Sequence, residues 1–193
     1  MRSARFVLPF ALMSLPLAFA QSEAQKPADA VRPSPAQKSF DALKTLAGLW
    51  QGPVKVEPPQ PGMGDQTAIE VSLRVTSRGN ALVHEMFEPG KGDDPMRYDH
   101  PLTTLYLDGD RLFLTHYCDA GNRPRMVARI SPDGKTVEFD FLDLSGGNQY
   151  GHMYHAVFTI VDANHHTEEW TYMMPGDKPV HAHFDLERAK VTK

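Results

Sequence analysis

The feature that most constrains this chain is a succession of short runs in which apolar and polar residues alternate. The clearest pair of runs, 103–107 and 111–118, flanks the dipeptide Asp108-Gly109. An Asp-Gly pair between two alternating runs is a strong signal of a β-hairpin with a tight turn. The sequence therefore predicts two antiparallel strands here.

The same pattern recurs along most of the chain after Trp50. We predict about ten strands, near 49–56, 68–76, 81–87, 103–107, 111–118, 125–130, 136–144, 152–161, 167–174 and 180–188. Consecutive short strands without helices between them are typical of an antiparallel meander, and so many strands must curl or close to remove their edges. We expect an all-β fold, a closed antiparallel up-and-down β-barrel of about ten strands. A two-sheet sandwich is the alternative.

The first twenty residues have the pattern of a secretory signal peptide. Arg2 and Arg5 precede an apolar run at 6–17, and Ala18-Phe19-Ala20 follows it. The run is too short for a transmembrane helix, which needs about 20 apolar residues. We predict cleavage after Ala20 and a soluble protein that is periplasmic or secreted, without stable insertion in a membrane.

The next segment separates the signal peptide from the folded domain. Residues 21–38 are rich in proline and polar side chains and should form a disordered linker. We place the domain at 39–193 and one short helix at its start, with Ser39 as the N-cap, an apolar face between Phe40 and Ala47, and Gly48 after its end.

Charge and cysteine content exclude several classes of function. Two of the 20 basic residues lie in residues 1–20, so the remaining 173 residues carry 18 basic and 24 acidic side chains, a net charge of −6. Such a chain is repelled by phosphate backbones, so we expect no nucleic-acid partner. The single cysteine, Cys118, cannot form an internal disulfide, and a buried structural thiol is its simplest role. The oligomeric state is left open.

The connections between the predicted strands alternate in length. Tight turns fall near 79–80, 108–109, 132–134 and 163–164, whereas 57–67, 88–102, 119–124, 145–151 and 175–179 are longer. In a meander, alternate connections lie at the same end. The tight turns should therefore mark a closed end, which the helix could plug, and the long loops should frame an open mouth where a ligand binds.

Strand direction then assigns candidate ligand-binding residues to the mouth. Six side chains should gather there: His116, Cys118, Asn122, Arg125, His152 and His183. For Arg125 an ion pair with Asp119 or Asp143 is the alternative to a ligand contact. Residues at i and i+2 share a face of a strand, so His181 and His183 point the same way, whereas His152 and His155 differ in parity.

Two short motifs resemble those of known barrel families. Gly48-Leu49-Trp50, with Arg188 in the last strand, resembles the opening and the closing arginine of lipocalin-like (calycin) barrels, in which the arginine packs over the tryptophan. The blocks 107–112, 115–118 and 121–126 resemble exported bacterial lipocalin-like proteins of unassigned function. That resemblance implies a calycin-like barrel and no particular chemistry.

A second resemblance implies a cofactor. The opening 48–52 and the segment 181–184 are similar to nitrobindin-type haem barrels, whose last strand carries the histidine that ligates the iron. Pro53-Val54-Lys55-Val56 stands where those barrels have a glycine repeat.

We therefore expect a barrel that binds a small, largely apolar ligand, with no cofactor, no metal and no catalytic residue assigned. Two other functions, and a ligand-free structural role, remain open. One is a haem or metal (Zn) barrel that uses mouth histidines such as His181 or His183. The other is a small enzyme with Cys118 as nucleophile and His116 as base.

Overall fold

The computed structural model describes residues 32–60, 68–90, 94 and 96–190. It contains one α-helix, α1 (Pro35–Lys44), and a short 3-10 turn, Ser77–Gly79. The strands are β1 (Gly48–Gly52), β2 (Val54–Glu57), β3 (Ile69–Thr76), β4 (Ala81–Phe87), β5 (Leu102–Asp108), β6 (Arg111–Tyr117), β7 (Arg123–Ile130), β8 (Thr136–Ser145), β9 (His152–Ile160), β10 (His165–Met174) and β11 (Lys178–Arg188).

The strands form one closed antiparallel sheet. From β3 to β11 each strand pairs with the next along the chain, and β1 closes the circle by pairing with both β3 and β11. β1 and β2 both pair with β11 and are separated only by Pro53, so they act as one interrupted strand. The fold is thus a closed ten-stranded β-barrel, as the alternation of the sequence predicts, and not a two-sheet sandwich.

The helix begins earlier than its sequence pattern suggested. The predicted N-cap at Ser39 is wrong, because Ser34 caps the helix by accepting a hydrogen bond from the backbone N–H of Gln37. Pro35 occupies the first turn, where its missing N–H costs nothing. The end of the predicted 21–38 linker is therefore helical. The predicted signal peptide and the first part of the linker lie outside the described residues.

The helix covers the tight-turn end of the barrel. Its buried side chains, Ala36, Phe40 and Leu43, join the barrel core. The Nζ atom of Lys44 donates to the carbonyl oxygen of Gly79 in the β3–β4 turn, at 3.3 Å. The helix thus closes this end, as predicted from the lengths of the connections.

The barrel is sealed where its first and last strands meet. Trp50 on β1 is the register partner of Arg188 on β11, and the guanidinium lies 4.2 Å from the centre of the indole ring. Arg188 also donates to the carbonyl oxygens of Thr45, Ala47 and Ala163. The predicted packing of Arg188 over Trp50 is confirmed.

None of the helices in the described ranges has the length and apolar character needed to cross a bilayer.

Candidate functional site

The open end of the barrel contains a cavity of about 490 Å³. Residues from three long connections stand at its edge: Glu88, Asp99, Asp119 and Tyr150. The cavity walls are mostly apolar. They are formed by inward-facing residues of strands on both sides of the junction between the first and last strands: Val54, Val56, Ile69, Met86, Met153, Met174, Val180, Ala182 and Phe184. The predicted mouth is therefore the end at which a pocket exists.

His116 supplies a polar atom at the inner part of this cavity. It lies on β6, two residues before Cys118, and its side chain is 1% exposed. The Nδ1 atom shares a hydrogen bond of 2.9 Å with the hydroxyl of Thr103 on the neighbouring strand β5. The Nε2 atom has no protein partner among the described residues, so it is the nitrogen that a ligand can reach.

Burial keeps the His116 imidazole uncharged. Loss of solvent lowers the pKa of His116 to about 3, and the nearby His84 acts in the same direction. A neutral imidazole can donate or accept one hydrogen bond at Nε2, depending on its tautomer. His116 can therefore orient a ligand by hydrogen bonding at neutral pH but cannot pair with it as a cation.

The rim of the cavity is acidic. Burial raises the pKa of Asp99, and the neighbouring carboxylate of Asp119 raises it further. Burial also raises the pKa of the Cys118 thiol, and it raises the pKa of Tyr172 to about 12. The mouth thus combines carboxylates with a protonated thiol and a protonated phenol.

Below the cavity, a buried polar cluster crosses the barrel. Glu168 on β10 accepts hydrogen bonds from Nε2 of His84 on β4 at 2.9 Å, from Nε2 of His166 at 3.0 Å and from Nε1 of Trp170 at 2.9 Å. All four side chains are buried. Trp170 also lines the cavity and lies 5.8 Å from the ring of His116, so the cluster forms the cavity floor.

Glu168 is ionised in spite of its position. Burial alone raises its pKa, but the contacts with His84 and His166 reverse this and hold the pKa of Glu168 well below its usual range. The Nδ1 atoms of both histidines are buried and have no hydrogen-bond partner in the described part of the chain. The cluster is therefore a charged network with two polar atoms still unmatched.

Sequence analysis missed this cluster. The predicted strand at 167–174 left His165 and His166 outside it, but β10 begins at His165 and the side chain of His166 is buried. The signal was present in the alternation of β10, where His166, Glu168 and Trp170 occupy the inward face. A glutamate on the apolar face of a strand indicates a buried partner.

Of the six predicted site residues, His116 and Cys118 line the cavity. Asn122 is buried, but its side-chain amide donates to the carbonyl oxygens of Gly147 and Gly151 at 2.9 and 2.7 Å. Asn122 therefore ties two mouth loops together and lies outside the cavity lining.

The other three predicted residues also lie away from the cavity lining. Arg125 is exposed and forms a bidentate ion pair with Asp143, its predicted alternative, through contacts of 2.9 and 2.5 Å. His152 bonds to Asn148 and packs on Phe141, because its neighbour Met153 takes the cavity-facing position. His183 is exposed and faces Glu169 on the outer surface.

The histidines that the haem resemblance singles out do not suit that role. Val180, Ala182 and Phe184 line the cavity, so His181 and His183, at the intervening positions of β11, lie on the outer face of the barrel. They cannot reach a group held in the cavity. Across the described ranges, no set of three or more His, Cys, Asp or Glu side chains is arranged to hold a metal ion.

Cys118 and His116 do not have the electrostatics of a nucleophile and its base. The pKa of the thiol is raised and that of the imidazole is lowered, which is the reverse of a thiolate–imidazolium pair. The Nδ1 atom of His116 is bonded to Thr103, and the described residues show no hydrogen bond between His116 and Cys118.

Comparisons with known proteins support the fold. No protein-family model and no curated protein matches the chain. The crystal structure of Rv2717c from M. tuberculosis is similar, with a TM-score of 0.57 and 15% sequence identity, over 79% of this chain and 98% of that chain. A protein of unknown function of the DUF3598 family from Nostoc punctiforme aligns with 7% identity over 78% of this chain and 99% of its own, with a TM-score of 0.24. At 15% identity the similarity to Rv2717c bears on the fold alone.

Proposed function

We propose that this protein is an exported, calycin-like β-barrel that binds a small, largely apolar molecule in the cavity at its mouth. The observation that carries the proposal is the cavity of about 490 Å³, which has apolar walls and the neutral His116 at its inner part. Ligand pockets in proteins have this character: a few hundred Å³, mostly apolar, with a small number of polar groups that fix orientation.

The rigidity of the barrel favours binding over catalysis. The cavity walls belong to a closed sheet, and its floor is held by the Glu168 cluster, so the site is preformed. A preformed cavity lowers the entropic cost of binding. The protonated thiol and the neutral imidazole supply hydrogen bonds but no activated nucleophile.

Export rests on the sequence of the first twenty residues. A basic start, an apolar run and an Ala-x-Ala end are the features by which a secretory signal peptide is recognised. The protein would then act in the periplasm or outside the cell, where a barrel can capture a small apolar molecule from dilute solution.

Filling the cavity tests the binding proposal. Ala182 lines the cavity wall on β11, and Ala182→Phe would place a ring in the space that the ligand needs. We expect octanol to change the fluorescence of Trp170 and to bind in calorimetry with the unaltered protein. With Ala182→Phe both responses should be lost, while the melting temperature stays within a few degrees.

The neighbouring outward position provides the matched control. His183→Phe adds a ring to the same strand on the outer surface and should leave octanol binding unchanged. Equal binding by the Ala182→Phe variant, or no binding of octanol by the unaltered protein, would contradict the proposal. Native mass spectrometry of the exported protein would show the class of any co-purified ligand.

A further inference from the structure

The charged side chains that line the cavity all have the same sign. In the part of the chain that the structure describes, these are Glu88, Asp99 and Asp119, and neither Lys nor Arg lines the cavity. No salt bridge between described side chains involves the carboxylate of Asp99 or Asp119, and the charge of Asp119 acts on Asp99 more strongly than that of His100. Asp99 and Asp119 therefore leave net negative charge at the entrance.

His116 provides an independent indication that a ligand occupies this space. The residue is 1% exposed and lines the cavity, and its Nε2 atom has no hydrogen bond in the described chain. Most polar side-chain atoms of residues buried this deeply are matched by a hydrogen bond. The cavity thus presents one unmatched polar atom in its inner part, apolar walls in its middle and carboxylates at its entrance.

We propose, resting on the binding function above, that the ligand is a cationic amphiphile. Its apolar body would lie between Met86, Met153 and Met174, and its amine or quaternary ammonium group would lie at the entrance beside Asp99 and Asp119. Methionine side chains adapt to irregular apolar shapes. A fatty acid would instead bring a third carboxylate to two that already repel each other, which opposes its binding.

The aromatic side chains of the entrance suit the same class of ligand. Tyr150 and Tyr172 both line the cavity near its edge, and the hydroxyl of Tyr172 is engaged in a hydrogen bond of 3.0 Å to the carbonyl oxygen of Tyr150. That bond leaves the ring faces as the contact surface, and ring faces attract cations. The raised pKa of Asp99 reflects burial and the repulsion from Asp119, which a bound ammonium group would offset.

Three probes with the same alkyl chain distinguish the effect of the ligand's charge on binding from the effect of burying its apolar chain. We would measure the binding of octylammonium, octanol and octanoate to the whole exported protein by calorimetry, at about pH 8, where carboxylates are ionised. Octylammonium should bind about tenfold or more tightly than octanoate, with octanol between them. The preference should shrink as the salt concentration rises from about 0.05 M to about 0.5 M, because salt screens exposed charges.

Two double variants assign the preference to the entrance. Asp99→Asn with Asp119→Asn should bring octylammonium and octanoate to within about twofold of each other. Asp108→Asn with Asp110→Asn removes the same charge from the exposed turn between β5 and β6 and should keep the preference.

The outcomes are distinct. An octanoate affinity equal to or above that of octylammonium, or a preference that survives in the Asp99 and Asp119 variant, would overturn this inference. If octanol still binds in that case, the proposed function stands without it. If none of the three probes binds, the proposed function itself fails and this inference with it.

Discussion

His116 is an imidazole held where its charged form is strongly disfavoured. The ring is buried, and among the described residues it has one hydrogen bond, to Thr103, and no contact with a carboxylate. Burial lowers its pKa to about 3, whereas in the unfolded chain a histidine titrates near 6.5. The unfolded state therefore binds a proton at this residue at a pH where the folded state does not.

This difference predicts how stability depends on pH. The contribution of His116 is fully present above about pH 6.5 and is lost as the pH falls toward about 3, by about 1.4 kcal/mol per pH unit at most. In His116→Gln, which keeps a polar side chain without this titration, the free energy of unfolding should fall less between about pH 6 and about pH 5. Over that interval, the free energy of unfolding should fall by about 1 kcal/mol more in the unaltered protein than in His116→Gln. Urea denaturation measures the difference.

An exposed histidine serves as the control. His181→Gln removes an exposed imidazole from the outer surface of β11 and shows how much of the change in slope comes from the loss of any histidine. If His116→Gln shows the same slope as the unaltered protein, the side chain is not held neutral in the folded state.

At the scale of secondary structure, the seam between the first and last strands is the tightest place in the barrel. Gly52 ends β1, and a Cβ atom there would lie 1.8 Å from the carbonyl oxygen of Asp185 on β11. Real Cβ atoms do not approach backbone atoms so closely, so any larger residue would push the two strands apart. Glycine is required at this position for steric reasons.

We predict that Gly52→Ala destabilises the protein by about 1–3 kcal/mol or more, because backbone cannot move aside as a flexible side chain can. Gly147→Ala is the comparison: the nearest atom to its Cβ is the side-chain oxygen of Gln149, which can rotate away. We expect that change to cost less than about 0.5 kcal/mol. Chemical denaturation of both variants measures the difference, and equal losses would show that the seam can widen freely.

The strands were predictable from the sequence. The face of the sheet to which each side chain points was predictable only in part. Alternation placed ten strand segments correctly because each has one apolar face. The same alternation, applied to Val180, Ala182 and Phe184, would have put His183 outside. We assigned His183 to the mouth only from its position along the strand. That position does not determine whether the side chain points into the barrel or out of it.

Two features lay beyond a period-two pattern. On β9, Met153 pairs with Tyr172 and His155 with Thr171, so Tyr154 is an extra residue that breaks the alternation. As a result Met153, and not His152, lines the cavity, whereas His155 precedes the inward Ala156 and faces outward in either case. The contact between His84 and Glu168 joins strands that are far apart in the sheet order, and only the closed barrel brings them together.

At the scale of the whole molecule, the barrel consists of three layers along its axis. Phe40 and Leu43 of the helix cover the closed end, the Glu168 cluster occupies the middle, and the cavity opens at the mouth. The middle layer is polar, although a barrel of this size could be filled by apolar side chains. The hydrogen bond between His84 on β4 and Glu168 on β10 runs across the interior, so it fixes the distance between opposite walls.

A single substitution in the middle layer should have a large effect on the stability of the protein. Glu168→Gln removes the charge that His84 and His166 face and replaces an acceptor oxygen with an amide that donates, so donors oppose donors in a buried site. We expect a loss of about 3–5 kcal/mol in the free energy of unfolding, the range found when one partner of a buried ion pair is removed.

A substitution at the adjacent residue, Glu169, distinguishes the effect of this network from a general effect of removing a charge. Glu169→Gln makes the same chemical change one position along β10, on the exposed outer face, and should cost less than about 1 kcal/mol. The emission of Trp170, whose indole N–H donates to Glu168, should shift in the Glu168 variant and stay constant in the Glu169 variant. Similar stability losses in the two variants would mean that the cluster does not hold the walls together, and the cavity floor would then have to be held by apolar packing alone.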